Sequence, residues 1–359
     1  MKKVIIIGAG YGGIALANLL AKKGYDVHVY EKNTGPGGRV GSFKDDGFTF
    51  DTGPSWYLMP EVFEQYYSLF EKDPQVGLEL EKLTPGYKVF FEHEQPIVIQ
   101  GDLEQDSKTF EEIEPGAGKA LRTYVEKSSL TYTLALRHFL YSNFSRLSEL
   151  LRGDIIKHAV TMLRLVLQPL DSYVSKHFTD RRLKQLLEYH MVFLGSSPFQ
   201  APALYSLMST LDFKSGVFYP KRGMYSLVES LVSLGAPYNV TYHYKSDVES
   251  IVITDGDARG IRLKSGETVD ADIVVSNADL HFTETELVPA EYRSYPERYW
   301  QKRQPGPSAL LIFMGVRGEL PMLTHHTLLF VDSWKENFSA IYETGTLPRP
   351  ASLDRKSVV

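Results

Sequence analysis

The chain opens on an apolar run, Val4, Ile5, Ile6 and Ile7, that no polar residue interrupts. A short β-branched run of this kind predicts a parallel strand buried on both faces. A glycine-rich turn follows at residues 8–13. Ile14, Leu16, Ala17, Leu19 and Leu20 then recur at helical spacing, with Lys22 and Lys23 in the last turn and Gly24 as the stop. Residues 27–30 predict a second strand that ends at Glu31. A strand–helix–strand unit therefore closes early in the chain.

Further along, residues 87–91 and 97–99 predict a hairpin around Glu94, Gln95 and Pro96. From about 106 to 189 most windows are helical in period. Residues 241–276 predict a three-strand meander with strands at 247–253, 260–263 and 268–275, separated by Asp255-Gly256-Asp257 and Ser265-Gly266-Glu267. The apolar run 310–316 predicts one more strand. No internal repeat and no low-complexity tract interrupts this order.

The first turn carries the candidate chemistry. In Gly8-x-Gly10-x-x-Gly13, Gly8 permits a tight turn, Gly10 lets the backbone approach a pyrophosphate, and Gly13 lets the helix pack close to the strand. The helix N-terminus offers free N–H groups and the positive end of its dipole to phosphates. Glu31, at the end of the second strand, can accept bonds from ribose hydroxyls and repels a 2′-phosphate. The ligand class is a dinucleotide, FAD or NAD. A second such glycine motif does not occur. Gly37-Gly38-Arg39 lies just beyond Glu31, where a guanidinium can reach nucleotide phosphates.

Composition narrows the field. The 359 residues include no cysteine, which excludes disulfide frameworks, thiolate metal sites and dithiol relays. Lys and Arg number 39 against 44 Asp and Glu, a formal charge of −5 that argues against nucleic acid as a partner. His28, His325 and His326 have no metal-ligand partner at useful spacing, so no metal is expected. No apolar run reaches the ~18 residues of a spanning helix.

Gly8-x-Gly10-x-x-Gly13, Glu31, Gly37-Gly38-Arg39 and the segment Phe50-Asp51-Thr52-Gly53-Pro54-Ser55 together resemble the FAD-dependent carotenoid desaturases, within the wider amine-oxidase-like flavoproteins. The resemblance continues through 198–205, 216–220, Gly223-Met224 and 274–278. It implies an α/β fold with a Rossmann-like FAD-binding domain and β-meander, and a second α+β domain facing substrate and membrane. The expected domains are discontinuous: 1–84 with 215–280 for FAD, and 85–214 with 281–353 for substrate.

By the same resemblance, Gly8, Gly10, Gly13, Glu31, Gly38 and Arg39 hold the ADP half of FAD. The backbone at Val248 meets the adenine, and the loop with Asp51, Gly53 and Pro54 lies near the flavin ring. Arg222 stands where the family often has glycine. The family continues past this point to a glycine-rich segment, and 354–359 does not match its pattern, so the chain reads as truncated.

The implied reaction is desaturation of a long apolar polyene such as phytoene or diapophytoene, with hydride transfer to flavin. Alternatives are a related polyene isomerase, oxygenase or amine oxidase, or an inactive fragment. The catalytic base is not identified; Asp51 and the histidines qualify by type only. The oligomeric state is open. Residues 154–168 form an amphipathic pattern, with Ile156, Val160, Leu163, Leu167 and Leu170 along one stripe and Leu151, Ile155, Ala159, Met162 and Val166 along another. Residues 146–184 hold eight Lys or Arg and four Asp or Glu. This fits a core helix with solvated charges or a cytoplasmic peripheral attachment to an anionic bilayer.

Overall fold

The computed structural model describes residues 1–73, 78–143, 153–303 and 305–356, leaving aside the side chains of 154–156. The fold is mixed α/β, and the chain forms two compact units. The first comprises 1–55, 60–81 and 219–305; the second comprises 56–59, 82–218 and 306–359.

In the first unit, β1 (Lys3–Ile7) is an inner strand of a four-stranded parallel sheet. On one side lies β2 (Asp26–Tyr30), followed by the strand Thr241–His243; on the other lies Ile273–Ser276. Ile6 sits opposite both Val29 and Val275. Both faces of β1 are covered, as its uninterrupted apolar run requires. Val4 and Ile6 pack with the helix α1 (Tyr11–Lys22) and with Val228 and Leu231 of the helix Tyr225–Gly235. Ile5 and Ile7 pack with Val248, Ile251 and Ile261 of the meander. Asn18, fully buried on α1, donates from Nδ2 to the Leu231 carbonyl at 2.8 Å and so ties the two helices together.

The meander differs from the sequence expectation at its third strand. Val248–Thr254 and Asp257–Leu263 pair antiparallel, and Thr268–Asp270 completes that sheet. The expected continuation to residue 275 is instead the separate strand Ile273–Ser276, parallel to β1. The chain changes sheets at Ala271 and Asp272: Ala271 N–H donates to Arg259 in the meander, and Asp272 N–H donates to Lys3 beside β1. Residues 281–305, expected with the substrate domain, group with the first unit. Leu287 is buried with Ile5 and Val248, which holds the segment there.

In the second unit, Tyr87–Phe91 and Ile97–Ile99 form the expected hairpin. His326–Phe330 adds parallel to Tyr87–Phe91, and Leu353–Lys356 adds antiparallel to His326–Phe330. Residues 354–356, read from the sequence as part of an unmatched tail, thus complete a sheet edge. The expected strand at 310–316 does not form. Leu310 is 82% exposed and Ile312 70% exposed; a run apolar on both faces needs sheet neighbours and two covering layers, and here it has neither. The core joins Phe110, Leu121, Tyr124, Leu170, Phe178, Leu186 and Phe338 to the sheet.

This core also encloses carboxyl groups. Asp106 accepts backbone N–H bonds from Gln100, Gly101 and Asp102, yet burial pushes its pKa up to about 7. Glu188 accepts from Trp334 Nε1 at 2.9 Å, and burial pushes it up from 4.5 to about 8. Folding therefore favours the protonated form of Glu188. Its contribution to stability is complete below about pH 4.5 and is lost as pH rises through 8. Glu188→Gln is expected to flatten that part of the pH dependence in urea unfolding and to raise stability at pH 8 relative to the parent chain; an unchanged slope between pH 5 and 8 would contradict this.

Candidate dinucleotide site

The C-terminal end of β1 runs into the glycine turn. A Cβ on Gly13 would lie 2.3 Å from the Gly8 carbonyl oxygen, so only glycine lets α1 start this close to the strand. No side chain caps the start of α1, which begins after Gly10, so its first N–H groups are open to a ligand. This is the carboxyl-end crevice in which parallel α/β sheets bind nucleotides.

Three further segments are drawn onto that turn. Gly37 N–H donates to the Ala9 carbonyl at 2.8 Å. Gly38 has φ +60°, and a Cβ there would sit 3.1 Å from Gly10 Cα. Arg39 is thereby placed beside the turn with its side chain exposed. Tyr225 OH donates to the Pro36 carbonyl at 3.2 Å and steadies the same loop. Ser246 N–H donates to the Glu31 carbonyl, which brings the start of the strand containing Val248 next to the end of β2.

Glu31 is buried. Its Oε2 accepts from Ala9 N–H at 2.9 Å, and its Oε1 accepts from Asn33 N–H at 2.9 Å and Asn33 Nδ2 at 2.7 Å. A carboxylate has about four lone-pair directions, so roughly one remains for a further donor. The carboxylate therefore also splints the glycine turn to the end of β2, a second duty that the sequence did not reveal.

The loop with Asp51, Gly53 and Pro54 follows the hairpin of Ser42–Asp45 and Phe48–Asp51. Gly53 packs on the Arg39 backbone so closely that a Cβ would clash with the Arg39 carbonyl oxygen. Asp51 Oδ2 accepts from Tyr219 OH and from Met224 N–H, the latter at 3.1 Å. Burial, then the bonded Asp51 carboxylate, pushes the Tyr219 phenol well above its ordinary value. Arg222 is exposed and pairs with Glu229 at 2.6 Å. Gly8, Gly10, Gly13, Glu31, Gly38 and Arg39 thus gather at one place, the Gly53–Pro54 turn adjoins them through Arg39, and Val248 approaches from the Glu31 side.

Residues 11–334 match the family of flavin-containing amine oxidoreductases. The chain belongs to that family. It is 39% identical over 347 residues to a carotenoid 3,4-desaturase of Haloarcula japonica, covering 96% of this chain and 69% of that protein. It is 31% identical to a zeta-carotene-forming phytoene desaturase of Myxococcus xanthus, covering 95% and 65%. It is 32% identical to a phytoene desaturase of Fusarium fujikuroi, with 98% and 62% covered; the chain thus spans roughly two-thirds of the length of these relatives. Among solved structures, a putrescine oxidase variant superposes with a TM-score of 0.57 at 15% identity, over 84% of this chain and 62% of that one. An oxidoreductase from Methanosarcina mazei gives 0.54 at 17%, over 79% and 61%. These two show the shared fold.

The cofactor of this family member is FAD. The site suits it: an open helix N-terminus for a diphosphate, a cradle that any side chain at Gly13 would fill, and an acidic group at the ribose end of β2.

The second unit holds a polar cluster that the sequence did not single out. Asp212 and His190 are each 2% exposed, with His190 Nε2 at 3.3 Å from Asp212 Oδ2. Tyr87 OH donates to the same oxygen at 2.5 Å, and Tyr189 OH donates to Oδ1 at 3.3 Å. Trp56 stacks on His326 at 4.1 Å and lies edge-on to Tyr87 at 5.5 Å. Asp212 sits in a one-turn π-helix, Leu211–Ser215, a spacing that a 3.6-residue period does not reveal.

Gly10→Val is expected to abolish copurified flavin absorbance, because a branched side chain would enter the cradle. Glu31→Ala is expected to lower FAD retention at least about tenfold, since it removes the splint to Ala9 and the spare acceptor that the resemblance assigns to a ribose hydroxyl. Tight NADP binding without flavin would contradict the assignment.

Proposed function

We propose that this chain acts in FAD-dependent desaturation of a long apolar polyene, a carotenoid or carotenoid precursor. The observation that carries this is the 39% identity to a carotenoid 3,4-desaturase across nearly the whole chain, joined to a nucleotide site whose glycines and acid meet in one crevice. Gly8, Gly10 and Gly13 present backbone to the diphosphate, Glu31 accepts from a ribose hydroxyl, and Arg39 neutralises phosphate charge. The backbone at Val248 meets the adenine, and the loop with Asp51, Gly53 and Pro54 supports the flavin end. Bound FAD supplies the oxidising power for breaking a C–H bond of a hydrocarbon chain. The remaining tasks of the chain are to hold an apolar substrate still and to keep water away.

Introducing a double bond removes two hydrogens from adjacent carbons and lengthens the conjugation. A protein carrying this sequence, expressed in a host that makes a colourless polyene, is expected to yield products that absorb progressively further to the red. The chain is also 30% identical to a 4,4'-diapolycopene oxygenase of a Methylomonas species; products that gain oxygen without new carbon–carbon double bonds would favour that reading. Products that change only in geometry would favour an isomerase.

The substrate class also makes a bilayer surface the natural source of substrate. Among the described residues no helix is long and apolar enough to cross a membrane. The helix Gly153–Leu167 leaves Val160, Leu163, Val166 and Leu167 exposed, with Lys157 and Arg164 on the same helix. Residues 146–152, the first part of the basic segment 146–184, lie outside the described residues. An exposed apolar stripe with basic neighbours suits peripheral attachment to anionic lipid. Flotation with vesicles is expected to need anionic lipid and to weaken with salt, as screening of the basic side chains requires. Equal binding to neutral vesicles at every salt concentration would refute it.

A further inference from the structure

The parallel sheet offers two strand ends to the crevice beside β1, and the sequence motifs account for only one of them. β2 ends in Glu31. On the other side of β1, Ile273–Ser276 ends in Asn277, whose backbone N–H donates to the Ile7 carbonyl at 2.9 Å. That bond fixes Asn277 at the mouth of the crevice. Its carboxamide lies over the glycine turn. A Cβ on Gly12 would come 3.0 Å from Oδ1, and Cβ atoms on Gly10 and Gly13 would come 3.3 and 3.0 Å from Nδ2.

Two explanations compete for this placement. The carboxamide could fill space above glycines that have no side chains of their own. It could instead present a hydrogen-bond donor to a ligand. Asn277 is exposed, and among the described residues its carboxamide has no protein partner. Filling space needs neither exposure nor an unused amide. A free N–H donor held at the open N-terminus of α1 has the chemistry that an anionic oxygen requires.

We propose that Asn277 is a cofactor-binding residue whose carboxamide donates to the diphosphate of the bound dinucleotide, opposite the Glu31 side of the crevice. This rests on the assignment of FAD to that crevice. It also gives the strand Ile273–Ser276 a task beyond packing: it carries a polar ligand group to the phosphates, as β2 carries one to the ribose.

The test uses the full chain and ADP, which contains the diphosphate but no flavin, with affinity read by calorimetry. Asn277→Leu keeps about the size and branching of the side chain and removes its donor without adding charge. Asn277→Ser loses volume but keeps a donor. A donor role predicts that Asn277→Leu weakens ADP binding about tenfold or more, whereas Asn277→Ser stays within about threefold of the parent chain. Thermal unfolding without ligand is expected to be unchanged in both. A space-filling role predicts the reverse order, with Asn277→Leu binding like the parent and Asn277→Ser impaired; that order, or equal affinity in all three chains, overturns the proposal. Failure of the parent chain to bind ADP is a different result: it overturns the cofactor site itself and this inference with it.

Discussion

Everything at the nucleotide site depends on how closely stretches of backbone approach one another. Gly13 lies against the Gly8 carbonyl, Gly38 against Gly10, and Gly53 against the Arg39 carbonyl, each at a distance that a Cβ would occupy. Packing this tight serves one purpose that side chains cannot: it brings backbone N–H groups and a helix terminus into direct reach of a ligand. It also fixes the order in which the parts of the site are layered. The strand–helix turn forms the floor, residues 37–39 lie on it, and the turn after Asp51 lies on those. Displacing the first glycine contact moves the two above it.

Polar side chains then join elements that hydrophobic burial alone leaves free to slide. The Glu31 carboxylate links the end of β2 to the glycine turn, and Asn18 links α1 to the helix Tyr225–Gly235. Asp51 links the first hairpin to Tyr219 and Met224. The second unit follows the same logic with costlier groups. Asp212 accepts from Tyr87 and Tyr189 and lies beside His190 Nε2 in a region of almost no solvent, where losing any of these bonds would be expensive; His190 Nδ1 is buried there without a hydrogen-bond partner. Their bonds set the position of β-strand, 3-10 turn and π-helix together, which apolar contacts cannot do because they lack direction.

The sequence was most informative where a residue type is demanded by geometry. The apolar run 4–7, the glycine spacing and the acid at 31 specify strand, turn, helix and ribose end without reference to the rest of the chain. The hairpin of Ser42–Asp45 and Phe48–Asp51 was missed although its signal was present: Asp46 and Gly47 both take positive φ, as a two-residue hairpin turn requires. The strand expected at 310–316 failed for the opposite reason. Its residues suit a buried strand, but strand formation is set by neighbours, and period alone does not supply them. Asn277 and Tyr219 lay in segments whose resemblance to the desaturases was visible, and Tyr225 just beyond one, yet their roles depend on contacts far along the chain, such as Tyr219 with Asp51 across 168 positions and Tyr225 with Pro36 across 189.

The difference between the cofactor and the proposed substrate explains why legibility stops where it does. A dinucleotide has charges and hydroxyls at fixed spacing, so the residues that hold it must include glycines, a helix terminus and an acid in a fixed order, and that order is readable. A polyene has neither charge nor hydrogen-bonding group. It can be held only by shape and by apolar or aromatic surface, the same materials from which Trp56, Tyr87, Tyr189 and Phe330 build the interior of the second unit. In sequence, a residue that contacts such a substrate is therefore indistinguishable from one that packs the core. A departure from that uniformity is the enclosed polar group around Asp212 and His190. Because the unit must meet the desolvation cost of those side chains whether or not a substrate is present, their placement is a property of the fold first, and any part they take in chemistry is built on a framework that already holds them rigid.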